Sequence, residues 1–113
     1  MLPIKRRINK ETFNLVMKDG VFVSLNGVYL KYTVKKDPSP SLFAFVVPKK
    51  VKKTSIGRHL LKRKMTAVVE KVILNIKNGY FIIIFAKEGV CTLPYNEIEK
   101  EILNLLKKAN LLS

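Results

Sequence analysis

The chain has 113 residues, 48% of them hydrophobic, which is enough for one domain with its own core and too few for two. It carries 22 Lys and Arg against 8 Asp and Glu, a formal net charge of +14, and such an excess on a folded domain implies a polyanionic partner, nucleic acid first and an anionic membrane second. The single cysteine, Cys91, excludes an intrachain disulfide framework and suits a reducing compartment, "MLPIKRRINK" has no long apolar stretch of the kind a signal peptide needs, and the longest apolar run, "YFIIIFA", is too short to span a bilayer.

In chain order, "NKETFNLVMKDG" predicts a short helix, with Asn9 as N-cap, Phe13, Val16 and Met17 at helical spacing, and Gly20 as the stop. "VFVSLNGVYLKYTV" predicts two strands around Asn26-Gly27, the strongest short hairpin signal. "KKDPSP" is a turn, and "SLFAFVVPKK" predicts a buried strand ending at Pro48, with a loop through Lys53. From about Ser55 the period changes. Leu61, Met65, Val68, Val69, Val72, Ile73 and Ile76 form one wide helical stripe, which Ser55 or Thr54 caps and Asn78-Gly79 ends. "YFIIIFAK" predicts a central strand. "LPYNEIEKEILNLLKKAN" predicts an amphipathic helix with Pro94 near its start, acids in its early turns and Lys107 and Lys108 at its end. The order helix, strands, helix, strand, helix defines a small α+β sandwich with helices against one sheet.

The charge is unevenly distributed along these elements. Residues 1–69 hold 16 basic and 3 acidic side chains, residues 70–113 hold 6 and 5, and no Asp or Glu occurs between Asp37 and Glu70. A solvated helix face usually mixes signs, so this stretch is the candidate binding surface. Its centre is the start of the second helix. Leu61 and Met65 dock there on the sheet, Arg63, Lys64 and Lys71 point away or sideways, and Arg58 and His59 sit in the first turns beside a loop bearing Lys49, Lys50, Lys52 and Lys53. A row of cations at a helix entrance, with unpaired backbone N–H groups adding positive potential, suits a phosphate backbone, and Arg also pairs two phosphate oxygens or stacks on a base.

"VPKKVKKTSIGRHLLKRKM" resembles the signature of the bacterial ribonuclease P protein component, a strand ending in Lys-Lys, a brief loop and a helix opening Arg-Asn-Arg/Lys-apolar-Lys-Arg. Arg58, His59, Leu60, Leu61, Lys62 and Arg63 occupy those six places, with His59 in place of the usual Asn, Leu60 in place of a basic residue, and a loop one residue longer. "MLPIKRRINKETFNLVMKDG", "VYLKYTV" and "GYFIIIFAK" are similar to the family's opening, second strand and fourth strand, so the resemblance spans nearly all of residues 1–113, as one RNA-binding domain.

The resemblance implies an αβββαβα sandwich on a central four-stranded sheet (ribosomal protein S5 domain 2-like), with a left-handed crossover between the third and fourth strands. It also implies the protein subunit of a cytoplasmic ribonucleoprotein that removes the 5′ leader of precursor tRNA. In such a particle the partner RNA is catalytic and holds the Mg²⁺, the protein binds no cofactor or metal, and it works as a monomer away from membranes. Lys49, Lys50, Lys53, Arg58, His59, Lys62, Arg63 and Lys64 are then the RNA-binding residues. Phe13, Met17 and Tyr32 line a leader cleft between the first helix and the sheet, since single strands bind where bases stack on aromatics beside a basic groove.

No protein active site is predicted. His59 sits among cations with no carboxylate near in sequence, Cys91 lacks a spaced partner for zinc and reads as a small buried filler, and Glu97, Glu99 and Glu101 stand where they stabilise a helix start. The main rival is a non-catalytic ribosomal or other structured-RNA-binding protein. A helix-turn-helix is disfavoured by the intervening strands, a membrane-surface protein by the core's need for the apolar stripe, and a stand-alone nuclease by the lack of clustered acids.

Overall fold

A computed structural model describes residues 6–112; the opening "MLPIK", with its Leu-Pro, lies outside the described residues. The first helix, α1 (Lys10–Asp19), starts where Asn9 accepts a hydrogen bond from the Thr12 backbone N–H at 2.9 Å, satisfying one donor of the open first turn. It ends at Gly20, where a Cβ would lie 2.4 Å from the Val16 carbonyl oxygen and 3.1 Å from the Lys31 Cβ. A bare backbone is what lets the chain turn tightly into the sheet at that point.

Strands β1 (Val21–Ser24) and β2 (Val28–Val34) form the antiparallel hairpin that Asn26-Gly27 announces. Neither Asn26 nor Gly27 takes a positive φ, however, so the mirror-image turn behind that signal is absent. Gly27 is needed for another reason. Its N–H donates to the Glu101 carboxylate at 2.6 Å, and a Cβ there would meet the same oxygen at 3.0 Å.

Strand β3 (Leu42–Val46) corrects the expectation of a buried strand running to Pro48. The sheet order is β1-β2-β4-β3, so β3 is an edge strand, and only its Phe43 is fully buried. It stops at Val46 and runs parallel to β4 (Tyr80–Ala86), the central strand, which pairs antiparallel with β2 on its other side. Arg7 bridges Phe43 on the outer edge of β3, with the Ile8 N–H donating to the Phe43 carbonyl at 3.0 Å.

The parallel crossover runs through α2 (Ser55–Lys71), capped by Thr54, whose hydroxyl accepts from the Gly57 N–H at 3.1 Å. The apolar stripe persists beyond this helix, but the helix does not. After Lys71 the chain tightens into a 3₁₀ turn, Ile73–Asn75, and Ile76 reaches the core from extended backbone, bridged to Leu112. A three-residue turn cannot continue a 3.6-residue stripe, so the last apolar positions are buried by a different backbone geometry. A second 3₁₀ turn, Val90–Thr92, precedes α3 (Tyr95–Lys108), in which Ile98, Ile102, Leu105 and Leu106 are buried.

These elements give the expected αβββαβα order, a mixed four-stranded sheet covered on both faces. Alternation along the strands sorts the side chains. Val28 and Leu30 of β2, Ile82, Ile84 and Ala86 of β4, and Phe43 of β3 face α2 and α3 and form the main core with Leu61, Met65, Val68 and Val69. Ile83 and Phe85 face the other way and form a smaller core with Val16 of α1.

Candidate nucleic-acid interface

The predicted cations converge, with one exception. Lys49, Lys50, Lys52 and Lys53 in the loop, and His59, Lys62, Arg63 and Lys64 on α2, are all exposed. His59, Lys62 and Arg63 line one side of a groove of about 830 Å³, whose other side is Arg7, Ile8 and the β3 segment Phe43–Phe45, with Thr66 and Ala67 further along the helix. The sequence did not point to this partner wall. Arg7 lies over 50 residues from His59 and arrives there only because the chain's start pairs with the outer edge of β3.

Arg58 is the exception. It is half-buried, and its guanidinium donates to the carbonyls of Lys52 at 3.1 Å and Lys53 at 2.8 Å. Placed among the RNA-binding cations from the sequence, Arg58 is instead engaged with the protein's own backbone. The side chain folds back to hold the basic loop against the helix, because the loop turns its carbonyls toward the helix start and an Arg fork satisfies them. Arg58 thus shapes the surface on which the lysines stand.

At the far end of α2 the field is neutralised. Lys71 donates to Glu99 of α3 at 3.1 Å and lies 4.9 Å from the Tyr95 ring centroid. The Glu99 hydrogen bond, with Tyr95 beside it, raises the Lys71 pKa above its ordinary value. The carboxylates have structural occupations: Glu101 on the Gly27 N–H, Glu99 on Lys71, and Glu97 with Lys100 at 3.6 Å. Asp37 accepts from the Ser39 hydroxyl and N–H, which hold its carboxyl below the usual range. Glu99 and Glu101 thus tie α3 to α2 and to the hairpin, a role the helix-start reading did not include, while Glu97 pairs within α3. Among the described residues no group of three or more His, Cys, Asp or Glu stands in metal-binding arrangement, and no helix is long and apolar enough to cross a membrane. Cys91 is half-buried, not fully buried, with its Sγ 3.5 Å from the Val51 carbonyl.

The grouping of Phe13, Met17 and Tyr32 on one side of a cleft is corrected. Phe13 is half-buried and packs on the smaller core, and Met17 is exposed on the same helix. Tyr32 lies on the opposite face of the sheet, against the main core, with its ring edge-on to Tyr80 at 5.6 Å. The reason is strand parity: Lys31, whose ammonium donates to the Met17 carbonyl at 3.0 Å, faces α1, so its neighbour Tyr32 cannot. The aromatics on the α1 face are different ones. Phe22, 52% exposed, lies 5.2 Å from Tyr29, which stacks on Phe85 at 4.5 Å with the rings 3° from parallel. Tyr29 alternates with Leu30 and shares its face with Lys31, a pattern legible once the hairpin was recognised.

Fold and surface together define a class: a small, strongly basic α+β domain with a cationic helix-and-edge groove on one side and an aromatic row on the other. The particular family follows from comparison. The chain matches the Ribonuclease P family over residues 2–110 and belongs to it, as the protein subunit of ribonuclease P. It is 33% identical to the ribonuclease P protein component of Alkaliphilus oremlandii over 113 residues, covering 100% of this chain and 97% of that one. It is 28% identical to that of a Synechococcus strain over 116 residues, covering 99% of this chain and 87% of that one. The solved structure of the Staphylococcus aureus RNase P protein superposes with a TM-score of 0.86 at 19% identity, covering 96% of this chain and 98% of that one, a likeness of fold. Membership makes this chain a subunit of an endoribonuclease holoenzyme and a partner of ribonuclease P RNA.

Proposed function

We propose that within the ribonuclease P particle this chain holds the catalytic RNA along the cationic side of α2 and the groove at the β3 edge, and holds the 5′ leader of precursor tRNA on the α1 face of the sheet. The RNA subunit and its Mg²⁺ carry the phosphodiester hydrolysis, the protein binds no cofactor of its own, and residues 1–113 act as one domain, one copy per particle, in the cytoplasm. The observation that carries this reading is the convergence on one groove of Arg7 with exposed His59, Lys62 and Arg63, the last three from a stretch with no acid between Asp37 and Glu70. Cations so arranged neutralise phosphates and release their counterions, which lowers the Mg²⁺ an RNA needs to fold.

On the leader side the stacking groups are Phe22 and Tyr29, backed by Phe85, with Met17 on the facing helix. Tyr32 supports this face from behind. A stacked ring pair, Tyr29 on Phe85, with Phe22 tilted beside it offers ring faces to unpaired bases of any sequence. The carboxylates' structural occupations support leaving metal binding and water activation to the RNA.

The test is reconstitution with a bacterial ribonuclease P RNA transcript. The protein lowers the Mg²⁺ required for leader removal, and the protein alone, free of RNA and of contaminating nuclease, does not cleave. Cleavage by the protein alone overturns the assignment of chemistry to the RNA. An unchanged Mg²⁺ requirement overturns the proposed support of RNA folding.

A further inference from the structure

Helix α2 carries an apolar feature that neither the core nor the groove uses. Ile56 is 75% exposed and Leu60 51% exposed, and they stand one turn apart on the outer surface, facing neither the sheet nor α3. Helical spacing sets their surroundings. His59 lies three residues beyond Ile56, and Arg63 and Lys64 lie three and four beyond Leu60. Lys53 precedes the helix cap. The Lys52 stem runs over Gly57, where a Cβ would come within 2.6 Å of its Cε, so this lysine lies across the first turn of the helix. The first turn of the helix contains no acid. Two adjacent exposed aliphatic side chains are thus ringed by cations on a helix start.

We infer that this Ile56–Leu60 step receives an unpaired nucleobase of the partner RNA, whose flanking phosphates are held by Lys53, Arg63 and Lys64. The inference rests on the RNA-binding reading above and names a contact of different chemistry within it. Charge complementarity selects the occupant. A nucleotide offers an apolar ring face next to an anionic backbone, matching the spacing of an aliphatic step within a cationic rim. A second copy of the chain would bring two cationic rims together, and a lipid surface calls for a longer apolar face than two side chains on one turn.

The contact has a readout that phosphate binding lacks. Displacing condensed counterions makes affinity fall with salt, whereas burial of an aliphatic surface against a base has no such slope. The experiment measures binding of a bacterial ribonuclease P RNA transcript across a salt series, with thermal melts confirming that each variant folds. The double variant Ile56→Ser/Leu60→Ser binds about three- to tenfold more weakly at every salt concentration, as expected for removing two exposed aliphatic groups from a contact, and its log–log salt slope is unchanged. Lys62→Ala/Arg63→Ala flattens that slope by roughly 0.7 to 0.9 for each phosphate no longer neutralised. Leu60→Lys binds more weakly than the parent at high salt.

The inference is overturned by a folded double variant that binds within twofold of the parent. It is equally overturned by a loss that comes with a changed slope, or by a Leu60→Lys variant that binds more tightly at every salt concentration, since that position would then face phosphate. Sedimentation with anionic vesicles, or concentration-dependent dimerisation, that the double variant abolishes overturns it too and reassigns the step to a lipid surface or a second copy. Absence of RNA binding by the parent overturns the underlying RNA-binding reading, and this inference with it.

Discussion

Cations on the same helix, α2, do opposite work, and the difference is set by a few ångströms of carbonyl geometry. Arg58 donates to two loop carbonyls, and Lys62 and Arg63, on the same helix, point into solvent. Arg58→Ala therefore lowers stability by about 1 to 3 kcal/mol, the range for hydrogen bonds from a charged group and the carbonyls left behind, which a urea or thermal melt measures. Arg63→Ala leaves the melt unchanged and reduces RNA affinity and its salt slope. If Arg58→Ala melts like the parent, the loop does not depend on those bonds. A parallel contrast separates two aromatic rings. Tyr32→Ala removes a ring packed against the main core and Tyr80, so the melting temperature falls and binding weakens equally for precursor and mature tRNA. Phe22→Ala removes a half-exposed ring and weakens binding only where a leader is present, by on the order of 1 to 3 kcal/mol for one stacked base. Equal loss for both RNAs in folded Phe22→Ala would assign that ring to packing.

Among the elements, the hairpin and α3 are joined by polar ties at one turn. The Gly27 N–H meets the Glu101 carboxylate at 2.6 Å, 74 residues apart in sequence, while Lys108 donates to the Ser24 carbonyl at 2.9 Å and Lys87 reaches Ser24 and Leu25. Three side chains thus anchor one β-turn, which fixes the angle of β1 and β2 and so the position of the aromatic row. Glu101→Ala and Gly27→Ala each destabilise by about 1 to 2 kcal/mol, and because both break the same bond, the double variant costs less than the sum of the two. Additive losses in a double-mutant cycle would separate the two residues. The start of α2 depends on Thr54 in a more ordinary way. Thr54→Ala costs about 1 kcal/mol through the missing cap, and its place beside the basic loop makes RNA affinity fall with it.

At the scale of the whole molecule, the sheet separates two surfaces whose residues are interleaved in the sequence. The groove of Arg7, His59, Lys62 and Arg63 lies at the β3 edge, and the Phe22–Tyr29–Phe85 row runs from the opposite edge strand β1 to the centre of the sheet. One rigid sheet links the two, so RNA held at one edge and a single strand laid across the other face keep a fixed relation. Raising salt therefore affects the two differently. Between about 50 and 200 mM, binding of the structured RNA falls steeply with the number of phosphates neutralised, and the leader-dependent increment, which rests on stacking, changes little. Measuring precursor and mature tRNA in parallel over that range checks this; a leader increment that vanishes with salt would place the leader among the cations.

Much of this was legible without coordinates, for local reasons. Asn9 as a cap, the strand around "YFIIIFA", the amphipathic last helix and the acid-free stretch around α2 are all set by neighbours within a few residues, where period and charge are written directly. What tertiary structure alone decided involved distant partners. Alternation along "VYLKYTV" says that Tyr29 and Tyr32 lie on opposite faces but not which face α1 covers; that choice came from Val16 packing on Ile83 and from Lys31 reaching Met17. The edge position of β3, the docking of Arg58 and the tie between Gly27 and Glu101 likewise arise from contacts between separate segments. Hydrophobic burial drives those segments together without direction, and only the packed arrangement settles which polar groups then meet.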